Sequence, residues 1–568
     1  MNHRYFYMLF FLITVLLLGC GQSQTPPTLG EILEAEIPRL MEKAEVPGLS
    51  IAVVKNGVLF WSGAFGIRSG ETGEPVDEAT IFEAASISKT ITAAAALKLV
   101  ERGQLDLDTS IFEYIPFPSS AKDERLRKIT PRLILTHTTG LPNWGARIIR
   151  EPGTLYGYSG QGFLFLGQAI ERISGQTLEE FARQEIFEPL GMTHSSYVWN
   201  DLYAANGATG HDQYSVPQPR RRNTSPNGGA SLLTTARDYA TFLCAILNDE
   251  VLKPETIQKM LTPHVQATRW GKTEPDEHIH WGLGWGIQPG TDENAFWHWG
   301  NNMDLRGYTV ASKNKKEGLV FFTNSENGFA LAETLVALLN PDLQWSMKWL
   351  DWERYDHPVR VARRLVEQTF LNEGKEAGLE RLNGVRKENP ELFGTDDILQ
   401  LASYLTGRLK SEEAASLYRL VVDLEPKRIQ PRLALAMAVL DMEEFEEAEK
   451  SFSDVLDLAS GNRTAKTGLQ WAKDLAAANK NPVSIPTDRL QAYAGAYGPR
   501  LIEFRDGVLY YKREDRPEFR LLAVSSNTFS LVGYHRFRLR FNLNSEGRIV
   551  SVTGLYIEGR EDISERTG

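Results

Sequence analysis

Phe82–Leu99 reads FEAASISKTITAAAALKL, and its core, Ser86-Ile87-Ser88-Lys89, sets a hydroxyl and an amine three positions apart. On a helix, residues i and i+3 share a face, so Lys89 reaches the Ser86 oxygen. A serine hydroxyl is a weak nucleophile until a neighbouring base takes its proton. Lysine serves as that base only when its pKa falls from about 10.4, which burial or nearby positive charge brings about. The positive end of the helix also favours an oxyanion.

The same S-x-x-K spacing recurs at Ser119…Lys122 and Ser312…Lys315, in the polar, turn-like stretches PSSAKDER and ASKNKKEG. There a solvated lysine is the simpler reading. Only Ser86 opens a long apolar, alanine-rich helix, which runs from Thr92 to Val100 and ends at Gly103.

Working outward, the chain of 568 residues is too long for one ordinary domain, and two to four are expected. A hydrophobic content of 42% and a charged content of 24% are those of a globular protein. A formal net charge of −11 argues against a nucleic-acid-binding surface, and no long basic run offsets it.

At the N-terminus, His3 and Arg4 precede an apolar run, Tyr5 to Leu18, too short to span a bilayer comfortably. It ends Leu17-Leu18-Gly19-Cys20 before GQSQTPPT. This resembles the bacterial lipobox, which implies a signal peptide over 1–19, lipidation of Cys20 and a tether over 20–28. The expected location is the cell envelope, periplasm-facing or on the surface. Cys244 then remains the only free thiol, and no intramolecular disulfide is available.

After the tether, Leu29–Glu45 has the apolar spacing of an amphipathic helix. LSIAVVKNGVLFWSGAFG follows as two strands around the turn Lys55-Asn56-Gly57. VPGLSIAVVKNG, FEAASISKTITA, LVERGQLDLD, LILTHTTGLP, PGTLYGYSGQGFLFLG, IFEPLGMTHSSY, NGGASLLTTARDYATFL and FWHWGNN then succeed one another in order. Taken together they resemble the serine hydrolases of the beta-lactamase/penicillin-binding superfamily. The likeness is to the class C-like branch, which includes D,D-peptidases, D-aminopeptidases and esterases.

The resemblance implies an α+β hydrolase domain over 29–345, an antiparallel sheet with a helical domain. It makes Ser86 the nucleophile, Lys89 its base and Tyr158 the partner of Lys89 in proton transfer, with a phenol pKa lowered by nearby cations. The family motif Y-x-N reads Tyr158-Ser159-Gly160 here, so its asparagine is absent. Either a neighbour such as Gln161 replaces that amide, or the substrate lacks the group it recognises. His298-Trp299-Gly300 stands where beta-lactamases carry K-T-G, which makes His298, Gly300 and Gly160 substrate-binding positions. The N–H groups of Ser86 and Asn301 would form the oxyanion hole. No cofactor and no metal are expected. His278-Ile279-His280 would point to one strand face without a third ligand, and Arg220-Arg221-Arg222 reads as a solvated loop.

Three functions follow in order: a serine hydrolase acting on an ester, small amide or peptide outside the cytoplasm; a penicillin-binding D,D-peptidase or beta-lactamase; and a non-catalytic scaffold. Gly160 and His298 weigh against the second.

Beyond Pro358 the pattern is helical to about Asn479 and repeats every 34 residues. Ala414, Tyr418 and Val421 recur as Ala448, Phe452 and Val455. Leu401, Ala402 and Leu405 recur as Leu435, Ala436 and Val439, and Leu435 again as Leu469. This resembles tetratricopeptide repeats over 358–479, either a docking surface for a protein partner or a rigid spacer. A proline-marked linker leads to 488–562, where short alternating strands with turns at Asp506-Gly507 and Glu546-Gly547 predict a small β-barrel or sheet. LQAYAGAYG at its opening resembles a lipocalin-like domain.

Overall fold

The structure, a computed structural model, describes residues 28–118, 123–269, 273–290, 294–513 and 517–567. The signal segment, Cys20 and the Ser119…Lys122 pair lie outside the described residues. The chain divides into two compact units, Met1–Tyr355 and Asp356–Gly568.

The first unit is built on an eight-stranded antiparallel sheet. Its order is Val58–Gly66, Gly48–Lys55, Glu317–Thr323, Arg306–Ser312, Asn294–Asn301, Gly286–Pro289, His280–Trp281 and Val265–Gln266. The first two strands form the expected hairpin. Lys55 pairs with Val58, and Asn56 and Gly57 both take positive φ, 55° and 73°, as a two-residue turn of this hand requires.

Strand alternation divides the sheet's two faces between two cores. Along Gly48–Lys55, the side chains of Leu49, Ile51 and Val53 join the core with Leu33, Ile37 and Met41 of the Leu29–Ala44 helix. Ala52 and Val54 point the other way, toward Ile87, Ile91 and the Ala93–Ala96 run. A strand buried on both faces is apolar along most of its length, as this one is apart from buried Ser50 and the terminal Lys55. The Ser88–Glu101 helix is itself buried nearly all round. Alanine permits a close approach: Gly284, at φ +90°, lies where a Cβ would come 2.4 Å from that of Ala93.

Two local expectations are corrected. His278 ends the short Glu274–His278 helix and stacks on Trp345, while His280 lies in a strand, so the two do not share a strand face. Ser312 is the buried last residue of its strand rather than part of a polar turn.

In the second unit, helices begin at Thr395, Ile429 and Arg463 and, between them, at Ser411 and Phe445, each series advancing in steps of 34 residues. Ala414 and Ala448, Tyr418 and Phe452, and Val421 and Val455 are all buried where these helices pack. The eight strands from Gly495–Tyr497 to Glu561–Thr567 form a closed antiparallel barrel. Asp441, buried at the end of the Ile429–Asp441 helix, holds the barrel by ion pairing with Arg536 and accepting from His535 N.

Candidate active site

The strand Phe82–Ala85 pairs with Leu232–Thr234 and then turns sharply into the Ser88–Glu101 helix. Ala85 takes φ +48°, an uncommon region for a residue with a Cβ. The turn is held by side chains that follow it. Ser88 Oγ donates to Ala85 O and accepts from Leu232 N at 2.8 Å. Farther along, Thr90 bonds Tyr239 OH at 2.8 Å and Thr92 bonds Tyr197 OH at 2.7 Å. The helix is therefore tied laterally by hydroxyls as well as by alanine packing.

Lys89 Nζ donates to Ser86 Oγ at 3.0 Å and to Gly229 O at 2.7 Å. It is wholly buried, lying 4.8 Å from the centroid of the Tyr158 ring, and forms no ion pair among the described residues. Burial alone lowers its pKa from 10.5 to about 7. A substantial neutral fraction at physiological pH makes it a competent general base.

Tyr158 stands with this pair, but the expectation of a lowered phenol pKa is wrong. Burial pushes it up, and the Ser86 hydroxyl opposes this only partly. The neighbouring lysine, with its pKa at about 7, is only partly protonated near neutral pH, so it offers the phenolate less charge than an ordinary lysine would. The buried hydroxyl makes no well-formed hydrogen bond, which leaves it a neutral donor rather than a base.

His298 faces the same interior from the strand Asn294–Asn301. Its Nδ1 lies 2.8 Å from Trp299 O, so that nitrogen carries the proton and Nε2 is an acceptor. Burial, then Lys89, lowers its pKa to about 3. It is therefore a neutral group that cannot grip a carboxylate as a cation. A buried histidine not singled out by sequence, His137, stacks 4.4 Å from the Tyr158 ring and accepts from Ser159 N through Nδ1. Burial holds its pKa well below the ordinary value.

Gly300 presses against the nucleophile's strand, so that a Cβ there would stand 2.2 Å from Ala84 O. The two segments carrying the Ser86 and Asn301 amides are thus in direct contact. Gly160 is the first residue of the Gly160–Ser174 helix, which Ser159 caps, and its N–H donates to Asn143 Oδ1 at 2.9 Å. A Cβ at 160 would meet Trp144 at 2.9 Å and Asn143 Oδ1 at 3.0 Å. Gln161 does not substitute for the missing asparagine: its Oε1 accepts from Gly145 N at 3.1 Å. Asn143 brings an amide to this corner instead.

Arg221 corrects the reading of its triplet as a solvated loop. It pairs with Glu83, three residues before Ser86, at 3.3 Å, and with Asp304, three after Asn301. Asn302 Nδ2 donates to Glu83 at 2.7 Å. Burial pushes the Glu83 carboxyl up and Arg221 opposes it. One guanidinium thus ties the nucleophile's strand to the Asn301 loop. Arg220 caps the Asp201–Asn206 helix through three carbonyls, and Arg222 lies over Trp199.

Beside Tyr158 and Asn301 opens a cavity of about 480 Å³ lined by Tyr156, Trp299, Phe329, Trp349 and Trp352, with Arg150 and Arg269 on its walls. A second cavity, of about 610 Å³, is lined by Ile257, Phe296 and the Lys313–Asp249 ion pair and contains none of the catalytic candidates. Among the described residues, no group of three histidines, cysteines or carboxylates is arranged to hold a metal.

The Beta-lactamase family model matches residues 33–340. The chain is 23% identical over 309 residues to Protein flp of Staphylococcus aureus strain MRSA252, covering 50% of this chain and 60% of that protein. It is 28% identical over 240 residues to penicillin-binding protein 4 of Amycolatopsis lactamdurans, covering 37% of this chain and 62% of that one. The alignments thus span about 60% of the length of these curated relatives. Among solved structures, it is similar to the octameric penicillin-binding protein homologue from Pyrococcus abyssi, at 17% identity and a TM-score of 0.47, covering 94% of this chain and 99% of that chain.

Proposed function

Since the chain belongs to the Beta-lactamase family, whose members support serine hydrolase chemistry through an acyl-enzyme, we propose that it hydrolyses an ester or a small amide or peptide by that route. The observation that carries the proposal is Lys89 Nζ at 3.0 Å from Ser86 Oγ, buried without a counter-ion. In this reading neutral Lys89 takes the Ser86 proton as Oγ attacks the carbonyl. The N–H groups of Ser86 and Asn301 hold the oxyanion, worth roughly 3 kcal/mol each by analogy with known holes. The Tyr158 phenol donates to the leaving group and is reprotonated from Lys89. Water then cleaves the Ser86 acyl ester by the reverse proton path. Neutral His298 favours substrates that need no cation beside the scissile bond.

The reading extends to the remaining expectations: export as a lipoprotein anchored through Cys20, tetratricopeptide-like helix pairs that dock a partner or act as a spacer, and a lipocalin-like barrel. Intact mass after treatment with a fluorophosphonate tests the chemistry. Wild type, Ser119→Ala and Ser312→Ala should gain one adduct and Ser86→Ala none. An adduct on Ser86→Ala refutes the assignment.

A further inference from the structure

Resting on the acyl-transfer reading, we infer that the cavity beside Tyr158 selects substrates with a flat apolar body that carries an anionic group, bound by Arg150 and Arg269. Aromatic rings supply most of the apolar wall: Trp299 lies 4.7 Å from Tyr158, and Phe329 stacks on Trp352 at 3.7 Å. Such walls favour a planar hydrophobic group over a short polar one.

The two guanidinium groups set the charge. Arg150 NH1 donates to Tyr156 O at 3.0 Å, and Arg269 NH1 donates to Trp349 O at 3.0 Å and to Leu350 O. These carbonyls belong to the cavity's own lining, so each cation is fixed at its wall. A carbonyl holds a guanidinium in place without neutralising it. Neither arginine has a carboxylate within ion-pair distance among the described residues. Asp276 Oδ1 accepts from the Arg269 backbone N–H at 3.0 Å and from Trp349 Nε1 at 2.8 Å, so the carboxylate nearest Arg269 is held by other donors and leaves both guanidinium groups without an ion pair, able to take an anion at the apolar cavity. They come from the segments around 150 and 269, not from the strand that carries His298, which is neutral.

Turnover of 4-nitrophenyl 4-phenylbutyrate and of 4-nitrophenyl 4-(4-carboxyphenyl)butyrate by the full chain reads this preference. The carboxylated ester should have the higher kcat/KM by at least about tenfold, the scale of one charge-assisted hydrogen bond. That ratio should shrink with rising ionic strength and approach unity in the Arg150→Ala/Arg269→Ala double variant. A ratio near or below one in the wild type, or a ratio that survives the double substitution, overturns the inference. Tryptophan fluorescence of Ser86→Ala, titrated with 4-(4-carboxyphenyl)butyramide and 4-phenylbutyramide, reads the same preference without turnover. Tighter carboxylate binding supports it and equal binding overturns it. Failure to hydrolyse either ester defeats the acyl-transfer reading instead and leaves this binding arm to decide.

Discussion

Asn143 Oδ1 stands 3.0 Å from where a Cβ on Gly160 would be and accepts from Gly160 N at 2.9 Å, so the space that an asparagine at 160 would enter is already filled by an amide from the neighbouring loop. The corner thus keeps an amide, carried at 143 rather than at 160. Restoring the motif by Gly160→Asn should therefore damage the enzyme. The new side chain collides with Trp144 and Asn143, at a cost of about 1–3 kcal/mol of overpacking. A lower thermal midpoint together with reduced esterase kcat/KM is expected. A variant that is both as stable and more active would show that Asn143 does not fill this role.

Lys89 makes rate and stability respond to pH. Only its neutral form accepts the Ser86 proton, so kcat/KM should rise through about pH 7 and then level off. Its folded pKa lies below the unfolded one. From about pH 7 up to 10.5 the unfolded chain holds a proton that the folded chain lacks, so this group makes stability rise with pH across that window. Lys89→Met removes both effects. It should abolish turnover and give a protein more stable than the wild type at pH 7, with the gap closing toward pH 10. Denaturant titrations at the two pH values measure it; a gap that does not narrow contradicts the assignment.

Arg221 acts through Glu83 and Asp304 rather than by touching substrate. Removing it leaves two buried carboxylates unpaired and loosens the Asn301 loop, so kcat should fall by about 10- to 100-fold with KM little changed. The lost stability is about 1–3 kcal/mol, discounted because the arginine is partly exposed. It should be larger at pH 8 than at pH 5, where protonation of Glu83 relieves the stranded charge. Arg221→Lys should recover part of kcat. Equal losses of kcat from Arg221→Ala and Arg221→Lys, with no pH dependence, would leave only a structural role.

What the sequence made legible was local or periodic. The Asn56-Gly57 hairpin, the S-x-x-K turn and the 34-residue step each depend on neighbours in sequence or on a regular repeat, and each appears in the structure at its expected position. What escaped depends on contacts between distant residues. Arg221 finds Glu83 from 138 positions away, and nothing in the run Arg220-Arg221-Arg222 marks its middle member as the one that pairs. The Tyr158 pKa failed for a related reason. The motif supplies a cation beside the phenol, whereas burial here lowers the pKa of that cation to about 7 and raises that of the phenol together.

The last prediction separates esters from lactams. In a penicillin or cephalosporin the carboxylate sits on the ring fused to the scissile amide, so it needs a cation close to the reacting carbonyl. The strand offers His298 there, wholly buried, with its lone proton given to Trp299 O and its pKa down at about 3. A missing charge-assisted hydrogen bond costs about 1.5–3 kcal/mol. That corresponds to roughly 10- to 200-fold in kcat/KM. Arg150 and Arg269 do not repair this, because they belong to the cavity wall and serve an anion carried away from the scissile bond. p-Nitrophenyl acetate, which is uncharged, loses nothing. It should therefore be turned over with a kcat/KM at least tenfold above that of nitrocefin, and His298→Lys should not reverse the order, since a second buried amine beside Lys89 would itself be driven neutral. Nitrocefin as the better substrate of the wild type would place the carboxylate-binding cation elsewhere and overturn the preference for esters.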